Sequence, residues 1–109
     1  MLVRTIQDLL PAFAVELESL TLSVGRGDLV TQIRSLPVLE RCTCGERNCA
    51  HFYTEPRPLG PYGAGHTNLM LPTDRGLIVY DLVDDRIVAV EVLDRPEVTA
   101  VLDGYFVAG

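Results

Sequence analysis

Tryptophan and lysine are absent from the 109 residues, histidine occurs twice and cysteine three times. No apolar run approaches the roughly 18 residues that a membrane-spanning helix requires, because Arg, Glu or Asp breaks every hydrophobic stretch. No membrane partner is expected. A secretory leader is not expected either: an apolar stretch follows Arg4, but Gln7 and Asp8 cut it short and no small-residue cleavage site follows. The expectation is a cytoplasmic protein with its thiols in a reducing compartment. Positive charge is also scarce. Six Arg and seven acids lie in residues 1–57, three Arg and eight acids in 58–109, for a net charge of −6. Proteins that grip duplex nucleic acid draw much of their affinity from a basic face, so nucleic acid is not an expected partner.

What is present is an apolar fraction of 48% against 22% charged residues, ordinary for a globular protein and far from the composition of disorder. A chain of this size buries roughly 60–70% of its unfolded surface without disulfides. Residues 1–109 are therefore read as a single domain.

All three cysteines fall in one run, Cys42-Thr-Cys44-Gly-Glu-Arg-Asn-Cys49, and His51 follows two residues later. Four such donors in so short a span are what a tetrahedral Zn²⁺ site of the Cys₃His kind needs. Clustered thiols in a reducing compartment are more often metal ligands than disulfides, and an odd count would leave one over. Two competing readings are a packed cluster of reduced thiols, since Cys is among the most buried residue types, and a redox or nucleophilic Cys49 paired with His51.

The Cys-x-Cys-x₄-Cys spacing resembles the post-SET zinc motif of lysine methyltransferases, with Cys42, Cys44, Gly45, Asn48 and Cys49 matching over about eight residues. The resemblance implies a zinc held by the three cysteines, with a fourth ligand from outside the motif. The catalytic SET domain of that family has no counterpart in this chain, so methyltransferase activity does not carry over. His51 is the nearest candidate for the fourth ligand, and in an extended 49–53 segment it shares a side with Cys49. His66 is the alternative fourth ligand. A closed Cys₃His site is structural, whereas three ligands plus water would make a Lewis acid able to activate that water.

Around this run the periodicity predicts an α+β fold. Ile6, Leu9, Leu10, Phe13, Leu17, Leu20 and Val24 recur at helical spacing, and Pro11 suits the first turn of a second helix. A strand reading of 13–24 competes, but its alternation slips at Ser19–Leu20. Gly25-Arg-Gly27 ends the element, and Asp28 is a candidate N-cap for a short helix carrying Leu29, Val30 and Ile33. Pro37 favours extended chain into Cys42, Phe52-Tyr53-Thr54 has strand composition, and the Pro/Gly-rich residues 55–65 form a loop. Asn68–Leu71, Gly76–Tyr80 and Arg86–Leu93 read as an antiparallel β-meander, with Val88, Val90 and Val92 as the core face of the last strand. Pro96 opens a C-terminal helix with Val98, Val101, Leu102 and Phe106 inward. The expected organisation is a helical region over 1–35, a Cys-rich metal-binding loop region over 36–66, and the meander plus helix over 67–109.

The remaining signals are weaker. Gly60–His66 lacks the Lys-Ser/Thr ending of a phosphate loop and reads as a loop packed over the sheet. His66 reads as a hydrogen-bonded structural histidine, and Asp81, Asp84 and Asp85 as solvated turn residues. Glu91 is read as an edge-strand charge or as the partner of Arg75 or Arg95. Residues 76–94 resemble the terminal hairpin of small bacterial domains of unknown function, with Asp85 where that turn usually has Gly; this resemblance implies fold and no activity. Two function classes remain. One is a non-enzymatic scaffold module in which zinc fixes 42–66 and the loop 55–66 meets a protein partner or a second copy. The other is a small zinc-dependent hydrolase or thiol-redox protein using Cys49 and His66.

Overall fold

The computed structural model describes residues 3–106; residues 1–2 and 107–109, the outer ends of the segments expected at 1–35 and 67–109, lie outside the described residues. The elements run α1 (Ile6–Leu9), α2 (Pro11–Ser23), a 3₁₀ turn (Gly27–Leu29) leading into α3 (Val30–Ser35), β1 (Glu40–Arg41), β2 (Phe52–Tyr53), β3 (His66–Met70), β4 (Leu77–Val83), β5 (Arg86–Leu93) and α4 (Pro96–Tyr105). The fold is α+β. All strand pairs are antiparallel, in the order β1-β2-β5-β4-β3.

Residues 13–23 are helical and Val24 caps them, and local chemistry shows why. Thr5 caps α1 in a reciprocal box with Asp8, and Pro11 starts α2 where no N–H is needed. Gly25, at φ +77°, closes α2: its N–H donates to the Leu22 carbonyl and the Arg26 N–H to that of Thr21, a Schellman stop. Asp28 does not cap α3. It lies inside the 3₁₀ turn, and its carboxylate is held by Arg26.

The meander forms as expected, but β1 and β2 extend it past β5, so β5 is central and not an edge. Just before β2 the chain already runs along β5, with the Ala50 N–H donating to Val92 O and Cys49 bridging Leu93. One face of the sheet carries Phe52, Ile78, Tyr80, Leu82, Val90 and Val92 into a core with Ile6, Phe13 and Leu17 of the first helices and Val98 and Leu102 of α4. The all-valine face of β5 is corrected at one end. The register shifts at Asp81/Leu82, pairing Asp81 with Ala89 but Leu82 with Ile87, so Val88 is the extra residue of a bulge. Ile87 therefore joins the core cluster and Val88 stays outside it, though buried. No helix among the described residues is long and apolar enough to cross a membrane.

The fully buried Arg95 ties the helices to the sheet end. It donates to Glu16, to Glu97 and to the Arg75 carbonyl. The other face of the sheet mixes Val79 and Ala89 with Asp81 and Glu91 and carries the site described next.

Candidate metal centre

The cysteine run forms the connection between β1 and β2. The Cys42 N–H donates to the His51 carbonyl at 2.9 Å, continuing the pairing of Arg41 with Phe52. At the far end the Cys49 N–H donates to Glu46 O, and Asn48 is tied to Asp94 through its carbonyl and its side chain. Gly45 turns the loop at φ +80°. Arg41 braces it from behind, donating to the Cys49 carbonyl and pairing with Asp103 of α4. Backbone pairing thus sets the ends of the run independently of what its thiols bind.

Cys49 and His51 alternate with Ala50 in extended chain, so both side chains reach that face while Ala50 enters the core. Cys42 reaches the same side. The ligating atoms of Cys42, Cys49 and His51 lie within 4.8 Å of one another, close enough to hold a metal ion. Cys44 is exposed and stands outside that trio. Its thiol pKa is lowered by the Glu46 backbone first, and then by hydrogen bonding with the Cys42 and Cys49 thiols. Burial pushes the Cys49 thiol up to about 11, and burial lowers the His51 pKa, keeping the ring neutral with a lone pair free for a metal. A cleft of about 460 Å³ opens beside the thiols between the loop and α4, with Arg47 and Thr99 among its walls.

His66 lies elsewhere on this face. It begins β3, the strand farthest from β1, with Nε2 2.9 Å from Asp81 Oδ1, and Tyr62 of the 55–65 loop tilts against its ring at 4.8 Å between centroids. The hydrogen-bonded histidine read from the sequence is the one observed.

Asp81 and Glu91 correct the sequence reading. Asp81 is the one buried acid among the described residues, placed inside β4 where it accepts from Asn68 Nδ2 at 2.7 Å. Asp84 and Asp85 do form the exposed turn, at φ +49° and +63°. Glu91 is half-buried on central β5, beside Asp81 and His51, so it is neither an edge charge nor an Arg partner. Arg75 pairs with Glu97, and Arg95 with Glu16 and Glu97. The ligating atoms of His51, Asp81 and Glu91 form a second trio within 4.8 Å. Burial first, then the hydrogen bond with Asp81, pushes Glu91 up to about 7. The signal for this row was a lone Glu in a run of valines; its meaning depended on which strand would lie beside it.

No protein-family model, curated protein or solved structure matches this chain to a significant degree.

Proposed function

We propose that this chain is a zinc-binding scaffold module in which Cys42, Cys44, Cys49 and His51 hold one structural Zn²⁺ ion. The observation that carries the proposal is the convergence of Cys42, Cys49 and His51 within 4.8 Å on one face of the sheet. Two thiolates and a neutral imidazole suit Zn²⁺ over the hard cations, which prefer oxygen. Cys44 lies in the same loop, two residues from Cys42, and would complete a tetrahedral set by a movement of that loop. The ion fixes the 42–49 loop against the sheet, and the neighbouring loop, with its wholly exposed Leu59, meets a protein partner or a second copy of the chain.

The exposure of Cys44 and its place outside the trio favour a second reading, in which Cys42, Cys49 and His51 hold zinc with water at the fourth position, as in a small zinc-dependent hydrolase. His66 is engaged with Asp81, which weakens it as the base or fourth ligand of such a centre. Metal analysis of protein purified without added zinc tests both readings. The scaffold reading expects one zinc per chain, lost in Cys42→Ser, Cys49→Ser and His51→Ala, much weakened in Cys44→Ser, and retained in His66→Ala. Full retention in Cys44→Ser moves the centre to the open, three-ligand form. Absence of zinc from the wild-type chain in buffer with added Zn²⁺ overturns both.

A further inference from the structure

The polar row beside the thiols has no structural explanation in the fold itself. A sheet face between two loops does not need two carboxylates side by side, and a buried charge is costly unless it is paired. Elsewhere the acids in ion pairs have Arg partners: Glu16 with Arg95, Glu18 with Arg34, Glu55 with Arg86, and Asp103 with Arg41. Among the described residues Asp81 has no Arg, only His66, and Glu91 forms no ion pair. Yet Asp81 is the most buried acid of the described chain. The guanidinium on this face, that of Arg57, lies over the Tyr53 ring and pairs with neither carboxylate.

His51 connects the two clusters. It belongs both to the trio with Cys42 and Cys49 and to the trio with Asp81 and Glu91. An imidazole has two ring nitrogens, and when one binds a metal the other carries a hydrogen that needs an acceptor. The sheet supplies one by register: Phe52 pairs with Val90 and Ala50 bonds Val92, so His51 stands opposite Glu91 on the same face. Asp81 is held for the same purpose from its other side. Both of its hydrogen-bonded neighbours, His66 Nε2 and Asn68 Nδ2, use Oδ1, and the carboxylate also lies within 4.8 Å of the ligating atoms of His51 and Glu91.

We infer that Asp81 and Glu91 are positioning residues of the metal centre: their carboxylates accept the N–H that His51 keeps when its other ring nitrogen binds the metal, and His66 and Asn68 hold Asp81 in place for this. The inference rests on the metal-binding reading above. It accounts for two carboxylates without an Arg partner, because a bound ion polarises the His51 N–H toward them. It also gives His66 a role as a holder of a holder, two steps from the ion, and selects His51 as the histidine ligand.

The test measures Zn²⁺ affinity by competition with a chromophoric chelator, and the Co²⁺ spectrum, for the full chain and for Glu91→Gln, Asp81→Asn and Asn68→Ala. Loss of a partner of a metal-bound histidine typically weakens binding by roughly 10–100-fold; that range is expected for Glu91→Gln and Asp81→Asn, with one ion still bound per chain. The thiolate-to-cobalt charge-transfer band is expected to persist while the ligand-field bands shift, a change that a merely structural role would not produce. Asn68→Ala, at an exposed position, leaves every charge in place and is expected to weaken binding by a smaller factor, so the inference remains testable where a carboxylate variant fails to fold. Affinities and spectra unchanged in Glu91→Gln and Asp81→Asn, with wild type binding zinc, overturn this inference alone. Metal lost from Asp81→Asn or Glu91→Gln but retained in Cys42→Ser makes the carboxylates direct ligands and also overturns it. A wild-type chain that binds no zinc removes the metal-binding reading and this inference with it.

Discussion

His51 stands opposite Glu91 across the β2–β5 pairing, and its ring lies within 4.8 Å of the carboxylates of Glu91 and Asp81 as well as of the thiols of Cys42 and Cys49. One imidazole thus connects a soft donor set to an acidic pair. The register that places it there follows from Ala50 and Phe52 being drawn into the core on either side of it, so hydrophobic burial in the sheet sets the geometry of the site.

The core contains one polar pair whose removal has a readable cost. Thr21 Oγ1 donates its one hydrogen to Leu17 O at 2.6 Å and accepts from the Tyr80 hydroxyl at 2.8 Å, all of it buried. Thr21→Val leaves the Tyr80 hydroxyl without a partner, and a loss of about 1–3 kcal/mol is expected in urea unfolding. Adding Tyr80→Phe removes the orphaned group and recovers part of that loss. Equal, additive losses in the double-mutant cycle would contradict the coupling.

Tyr80 also sets an alkaline limit. Burial raises its pKa above the ordinary value of 10.0. Below pH 10 both folded and unfolded chains keep the proton, and the phenol is neutral for stability. Above it only the folded chain keeps the proton, so stability falls as pH rises, by about 1.4 kcal/mol per pH unit for such a group. Tyr80→Phe is expected to flatten this decline. Tyrosine absorbance at 295 nm should show incomplete ionisation at pH 11 while the chain is folded, because Tyr62, pushed up to about 12 by burial, also keeps its proton. Full ionisation of all four tyrosines without unfolding would contradict this.

Arg95 is fully buried and Glu16 is its bidentate partner. Breaking a buried ion pair costs about 3–5 kcal/mol. Glu97 and the Arg75 carbonyl remain as acceptors and Glu16 is partly exposed, so the loss for Glu16→Ala is expected below that range, roughly 2–3 kcal/mol. The urea midpoint should fall with an unchanged slope.

Gly76 opens β4 at φ +69°, and a Cβ there would lie 2.2 Å from the Leu93 carbonyl oxygen. The backbone conformation alone costs a non-glycine residue about 1–2 kcal/mol, and the carbonyl belongs to a paired strand that cannot step aside. Gly76→Ala is expected to lose more than that amount in thermal or urea unfolding. Gly63→Ala serves as control, since its φ of +85° comes with open space around the added Cβ.

The helices were legible because their information is local. Thr5, Pro11 and Gly25 mark ends, and the stripe from Ile6 to Val24 marks a face. The meander was legible for the same reason. What could not be read was lateral order: nothing near Glu91 says that β2 will cross to lie beside β5, and without that neighbour a Glu among valines looks like an edge. Asp81 reads as a turn residue because it sits three positions before the hairpin turn, but β4 continues through it to Val83. The bulge at Val88 escaped similarly, since a strict alternation has no place for an extra residue. The cysteine run was visible from spacing alone, whereas the carboxylates beside it depend on contacts from residue 51 to residues 81 and 91.

The most direct measurement is X-ray absorption at the zinc edge of the purified, zinc-loaded chain, which counts sulfur and nitrogen neighbours. Structural zinc shows Zn–S near ~2.3 Å and Zn–N near ~2.0–2.1 Å. Three sulfur neighbours and one nitrogen, from Cys42, Cys44, Cys49 and His51, are expected. A first shell of oxygen and nitrogen without sulfur would place the ion on the carboxylates and contradict the thiolate centre.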